Sequence, residues 1–356
     1  MDVKESREQL IVSITTPLST AIILANLFII VAIVCNRQLH NTPNYFFLSL
    51  LVADLCTGAA LPFIPRMALE QQLDFHACLL VHTFPNFLFL SYLFNLVMVH
   101  YERYLCIASP LHYSQFWVHR CFPAALLATW VPPLLYASLP AFGWNEWPEA
   151  ATTTTTSSSS SSNSSNITSS NITSSNATST LGAETCSYKI IFPKEYIYLE
   201  VYGLLLPSIF LIVGMTARVL WITRQQLRDI CKLHRAVEHR VVIDNSNSSR
   251  ASSSDAEHRL NVRYAKCVAA VSLVFVLCWV PYITYVNVAL RWMKADRRSE
   301  NWSLYIILSC TGIGSMAIIP FILGLANRQY TEPARKLLRK LRDCWRGMRA
   351  GGGADV

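Results

Sequence analysis

Charged side chains are scarce in this chain. Asp, Glu, Lys and Arg together make up 15% of its 356 residues, where an average soluble domain carries about 25%. Most of the length therefore does not read as a water-facing globule. The spacings that hold zinc are also missing: there are eleven cysteines, but no C-x-x-C and no Cys/His cluster. No H-E-x-x-H, G-x-S-x-G or paired-carboxylate set gives a membrane enzyme its catalytic groups. No cofactor, metal or enzymatic activity is expected. The internal repeats typical of transporters are absent as well. No short apolar stretch with a cleavage site opens the chain, so no removed signal peptide is expected.

What is abundant is apolar sequence, 52% of the chain, gathered into blocks. Seven runs, at 10–35, 44–68, 77–107, 121–142, 195–222, 262–291 and 302–325, are each long enough for about 30 Å of hydrocarbon. Backbone in lipid must satisfy its own hydrogen bonds, so the runs are read as helices. A buried core helix could explain one such run but not seven. The expected fold is an all-α membrane protein, a seven-helix bundle over 1–325. Residues 326–356 are read as an amphipathic helix on the inner leaflet followed by a tail: Leu337, Leu338, Leu341 and Trp345 recur at helical spacing opposite Arg335, Lys336, Arg339, Lys340 and Arg342.

Basic residues and sequons orient the bundle. Arg224, Arg228, Lys232, Arg235, Arg240, Arg250, Arg259 and Arg263 follow the fifth run, and the tail is equally basic, which places both on the cytoplasmic side. The basic 292–301 loop points the other way. N-x-S/T sequons begin at Asn163, Asn166, Asn171, Asn176 and Asn301. All five face outward, as glycan acceptors must, when the N-terminus is extracellular. Asn247 also matches but falls inside, so it is expected to stay bare. Residues 151–180 are Ser/Thr-rich and read as a disordered, glycosylated outer loop; 244–256 read as a polar inner linker. The net charge of +8 sits on the inner face, where it meets anionic lipid headgroups rather than nucleic acid. The chain is therefore expected in the plasma membrane, with membrane lipids among its partners.

Specific residues carry a resemblance. Asn26 in Ala-Asn-Leu, Asp54 in Leu-Val-Ala-Asp-Leu, Glu102-Arg103-Tyr104, Trp130, Pro207 and Cys278-Trp279-Val280-Pro281 fall one set per run. Together they resemble the class A (rhodopsin-like) G-protein-coupled receptors. The resemblance implies a disulfide between Cys78 and Cys186. It also implies a switch built on Glu102, Arg103, Tyr104, Asp54, Trp279, Pro281 and Pro320, and a heterotrimeric G protein at the inner face. The physics is consistent. Cys78 and Arg103 are 25 residues apart, roughly 37 Å along a helix, so they reach opposite surfaces. Pro281 frees a backbone carbonyl and makes a pivot, with Trp279 beside it to sense a ligand.

Departures from the family pattern matter. The seventh-helix Asn-Pro-x-x-Tyr reads Ile319-Pro320-Phe321-Ile322-Leu323, the fifth-helix inner Tyr is Met215, and Asn261 replaces an acid at the base of the sixth helix. Tyr92 and Ile319 replace polar partners of the sodium pocket near Asp54, which puts that site in question. A weak inactive lock is expected. Pro85 stands where amine receptors carry Asp, and Ile313 where opsins carry Lys; neither ligand class is expected.

A closer resemblance lies in Pro85-Asn86-Phe87, Val99-His100-Tyr101, Ala137-Ser138-Leu139-Pro140-Ala141-Phe142-Gly143-Trp144-Asn145, Tyr198–Pro207, Asp229-Ile230-Cys231 and Gln329-Tyr330-Thr331. It points to the bile-acid-responsive branch of the family and implies a bile acid or related steroid amphiphile as ligand and a stimulatory G protein as partner. A receptor for another lipid or steroid is the alternative, and a membrane transporter a remote one. The expected ligand contacts are Asn86, Phe89, Tyr92, Glu200, Tyr282, Trp279 and His82, a few polar groups in a mostly apolar cavity.

Overall fold

The computed structural model describes residues 3–63, 73–147, 186, 188–241, 251–292, 302–326, 339, 342 and 343. Among the described residues there are seven long helical rods and no strand. They are α1 (Val3–Val34), α2 (Thr42–Ala60), α3 (Phe75–Ala108), α4 (Phe122–Ala137), α5 (Lys194–Tyr198, Leu199–Leu205 and Leu206–Val241 in one line), α6 (Ala251–Trp292) and α7 (Trp302–Ala326). Five of them, α1, α3, α5, α6 and α7, are long and apolar enough to cross a membrane; α4 is shorter.

The helix starts follow ordinary chemistry. The Asn41 side chain caps α2 by accepting from the Asn44 N–H at 3.2 Å, and Pro43 occupies its first turn. Asp74 caps α3, accepting from the Ala77 N–H. Two boundaries differ from the sequence reading. α2 ends at Ala60 rather than 68, because Leu61 to Phe63 form a turn. α6 begins at Ala251, so the end of the polar 244–256 segment is helical. The Ser/Thr loop, all five outward sequons and most of the tail lie outside the described residues; Arg339, Arg342 and Asp343 of the tail are helical.

The helices close a ring: α1 packs on α2 and α7, α7 on α6, α6 on α5, and α3 on α2, α4 and α5. Specific contacts fix the approach. Ser19 Oγ donates to the Gly58 carbonyl at 2.6 Å, and a Cβ on Gly58 would lie 2.8 Å from Ile22. Asn26 Nδ2 donates to the Met316 carbonyl at 3.1 Å, tying α1 to α7. Trp130 Nε1 donates to Ser49 Oγ at 2.9 Å, tying α4 to α2.

α5 is not a plain α-helix. Leu199–Leu205 is a π-helical segment, and the Leu206 N–H reaches the Val201 carbonyl five residues back. Pro207 explains the position. Its ring lacks an N–H and crowds the preceding turn, and a π turn widens the backbone there. Such turns are often found at functional sites.

Candidate functional site: an outer ligand site and an inner switch

In the outer half of the bundle a half-buried polar pair sits among apolar side chains. Asn86 on α3 is 9% exposed, and its Nδ2 donates to Glu200 Oε2 on the π segment at 3.0 Å. One turn inward along α3, the Phe89 ring lies 4.7 Å from the Trp279 ring of α6, which Tyr282 meets edge-on at 5.8 Å. α7 closes this wall because Gly312 has no side chain: a Cβ there would sit 3.0 Å from Trp279 Cε3.

Above the pair, a disulfide joins Cys78 to Cys186, with Cα atoms 5.7 Å apart. It ties the outer loop to α3, as expected from the sequence. His82, one turn outward of Asn86, packs against it, with Nε2 3.5 Å from Cys186 Sγ and its ring edge-on to Phe192. Cys78, His82 and Cys186 come together closely enough to hold a metal ion. With both sulfurs bonded to each other, that set has no thiolate to offer. Ile191, Phe192 and Tyr196 complete a second apolar cluster beneath this loop, joined by Tyr136 and Trp144. Tyr136 and Tyr196 exchange hydroxyl-to-carbonyl bonds at 2.9 and 3.3 Å.

Tyr92 takes a different place from the one read in the sequence. It is fully buried and its hydroxyl bonds to Ser315 Oγ at 3.1 Å. It lies one turn inward of Phe89, against Phe275, in the packed layer beneath Trp279. Ser315 also accepts from Trp279 Nε1 at 3.3 Å and donates to the Gly312 carbonyl at 2.6 Å. Ser315 was not legible in the sequence, because its importance comes only from meeting α3 and α6. Asp54 is 0% exposed, and neither carboxylate oxygen has a hydrogen-bond partner among the described residues. Buried Ile319 adds no polar group.

At the inner end, Arg103 Nε lies 3.4 Å from Glu102 Oε2, with side-chain exposures of 15% and 1%. The other oxygen, Glu102 Oε1, accepts from the Tyr113 hydroxyl at 2.6 Å. Tyr113 sits on the short Pro110–Gln115 helix after α3. Burial first, then the adjacent Glu102 carboxylate, push its phenol well above the usual range. It therefore keeps its proton, and its donor role, at any physiological pH. Tyr104 packs against the main core, and Pro281 and Pro320 lie within α6 and α7. Tyr113→Phe is expected to cost about 1–3 kcal/mol, the usual range for stranding a buried acceptor. A lower melting temperature of the purified receptor would show it; an unchanged one would show that the bond contributes nothing.

The family model for 7 transmembrane receptors (rhodopsin family) matches residues 25–323. The chain belongs to that family. Like its relatives, this rhodopsin-family protein is a receptor and not an enzyme, and it is a multi-pass protein of the plasma membrane. It is 37% identical to the G-protein coupled bile acid receptor 1 of Oryctolagus cuniculus over 345 residues, 95% of this chain and 88% of that one. It is 35% identical to the Rattus norvegicus protein of the same name, over 93% of this chain and 85% of the relative. The adenosine receptor A2b of Gallus gallus is 24% identical over 90% of this chain and 85% of its own length.

Proposed function

We propose that this receptor binds bile acids or related amphipathic steroids between α3, α5 and α6, and that the ligand drives a stimulatory G protein to raise cyclic AMP. The observation that carries the ligand class is the half-buried Asn86–Glu200 pair beside Phe89, Trp279 and Tyr282. A rigid apolar body with one or two hydroxyls fits a wall of rings interrupted by one amide and one carboxyl. Glu200 would repel an anionic tail, so that end of the steroid points away from it and a hydroxyl meets the pair. The relatives named as bile acid receptors span nearly all of both chains, which supports the same class of ligand here. The N-terminus is extracellular in this reading, and the 151–180 loop and Asn301 carry glycans. Glu102, Arg103 and Tyr104 face the G protein once the inner ends of the helices part.

The test is the cyclic AMP response of cells expressing the chain to a bile-salt panel. A graded response supports the proposal; silence at confirmed surface expression sinks it. In the same cells, ligand-free cyclic AMP is expected above that of vector-only cells, because Asn261 stands where an acid often clamps the third-helix Arg at rest. Equality would show a tight inactive state.

A further inference from the structure

The inner half of the bundle holds a buried polar bridge that neither the ligand site nor the Glu102–Arg103 pair uses. His100 on α3, Thr216 on α5 and Ser272 on α6 are 2%, 6% and 5% exposed. His100 Nε2 lies 3.1 Å from Ser272 Oγ, and Ser272 Oγ is hydrogen-bonded to Thr216 Oγ1. His100 Nδ1 lies 2.9 Å from the Leu96 carbonyl of its own helix. Three helices thus meet through three small polar groups in an otherwise apolar layer that includes Leu96, Val99 and Ile212.

The proton count gives the bridge a direction. The Leu96 carbonyl can only accept, so Nδ1 carries the proton and Nε2 of a neutral imidazole accepts. Ser272 then donates to His100 and accepts from Thr216, and each group donates once. A second use of the Ser272 proton is at hand: the Val268 carbonyl, 3.0 Å away on α6 itself. Turned to Val268, Ser272 needs nothing from α3. The inner half of α6 can then leave without stranding its own hydroxyl, and the cost of opening the latch falls on His100 Nε2, which loses its donor.

Its position makes the latch consequential. His100 lies three residues from Arg103, about one helical turn. Ser272 lies seven residues inward of Trp279, about two turns. Thr216 follows Met215, where the family's usual tyrosine is missing. We propose that the His100–Ser272–Thr216 bridge is the main hold on the inner half of α6 in the resting receptor, standing in for the partners that this chain lacks. This rests on the receptor signalling through its inner face and not on the identity of its ligand.

The test uses the full-length receptor in cells, without ligand, at matched surface density. Dissociation of heterotrimers is read for each class of G-protein α subunit, so that a wrong assignment of the stimulatory type does no harm. His100→Asn keeps the Nδ1 position and its bond to Leu96 but falls short of Ser272. It is expected to raise ligand-free dissociation about fivefold, the ratio that a typical net hydrogen bond gives. His100→Gln reaches the Nε2 position and is expected to stay within about twofold of the parent. Ser272→Ala should match His100→Asn, and the double variant should rise no further, because both changes open one latch. Independently of any G protein, spin labels at the inner ends of α3 and α6 in purified receptor should show longer distances in His100→Asn than in His100→Gln. Equal label distances in the two variants would overturn the proposal, as would an Asn variant no more active than Gln where the parent dissociates a heterotrimer. A parent that dissociates none, with or without bile salts, would instead overturn the coupling reading, and the label distances would still decide the latch.

Discussion

Replacing Cys186 by serine is expected to remove most ligand-competent receptor from the cell surface. Cys78 and Cys186 are separated by 108 residues, and a cross-link closing about 100 residues contributes roughly 4–5 kcal/mol in the chain-entropy view. The intervening α4 is membrane-held and so already restricts the unfolded chain, which trims that figure. More is at stake than the bond itself. Ile191, Phe192 and Tyr196 share one apolar cluster with the two bonded cysteines, and His82 packs on the same bridge. Surface labelling with and without a membrane-impermeant reductant measures the effect. A Cys186→Ser receptor at parental surface level, with a parental bile-salt response, would show that the cluster holds the loop unaided.

Asn86→Leu carries the second large effect. Nδ2 of Asn86 is the hydrogen-bond donor to Glu200 Oε2, and the leucine has none. A steroid hydroxyl bonded to this pair would contribute about 1.5–3 kcal/mol where its partner is charged, and its loss corresponds to roughly 10- to 100-fold in ligand concentration for half-maximal response. Asn86→Leu combined with Glu200→Leu separates the two roles. Replacing both partners by apolar groups restores melting temperature, because nothing polar is left stranded, but the bile-salt response stays weak. If the response survives Asn86→Leu combined with Tyr282→Phe, the ligand does not use this wall.

The length of the apolar runs made the bundle readable in the sequence alone. Seven apolar runs give seven rods, and one-per-run markers such as Asn26, Trp130 and Trp279 fall where helices meet. What stayed hidden depends on rotation and register. Tyr92 is six residues from Asn86, far enough around the helix and inward to reach Ser315 instead. His100 and Ser272 are 172 residues apart in sequence; nothing local marks either as polar glue. Tyr113 lies beyond the apolar run, so hydropathy gave no reason to notice it. The early end of α2 was concealed by apolar residues that continue through a turn.

The π segment of α5 adds a consequence of its own. Each residue of an α-helix advances about 100° around the axis. The wider turn at Leu199–Leu205 therefore sets the angular phase between the outer end of α5, with Glu200, and the inner part, with Thr216. Wound as an ordinary α-helix with the same number of residues, this segment would swing Glu200 about a quarter-turn away from Asn86, with every side chain of the wall still present. In this helix the width of one turn, and not the kind of residue alone, decides which side chains face Asn86.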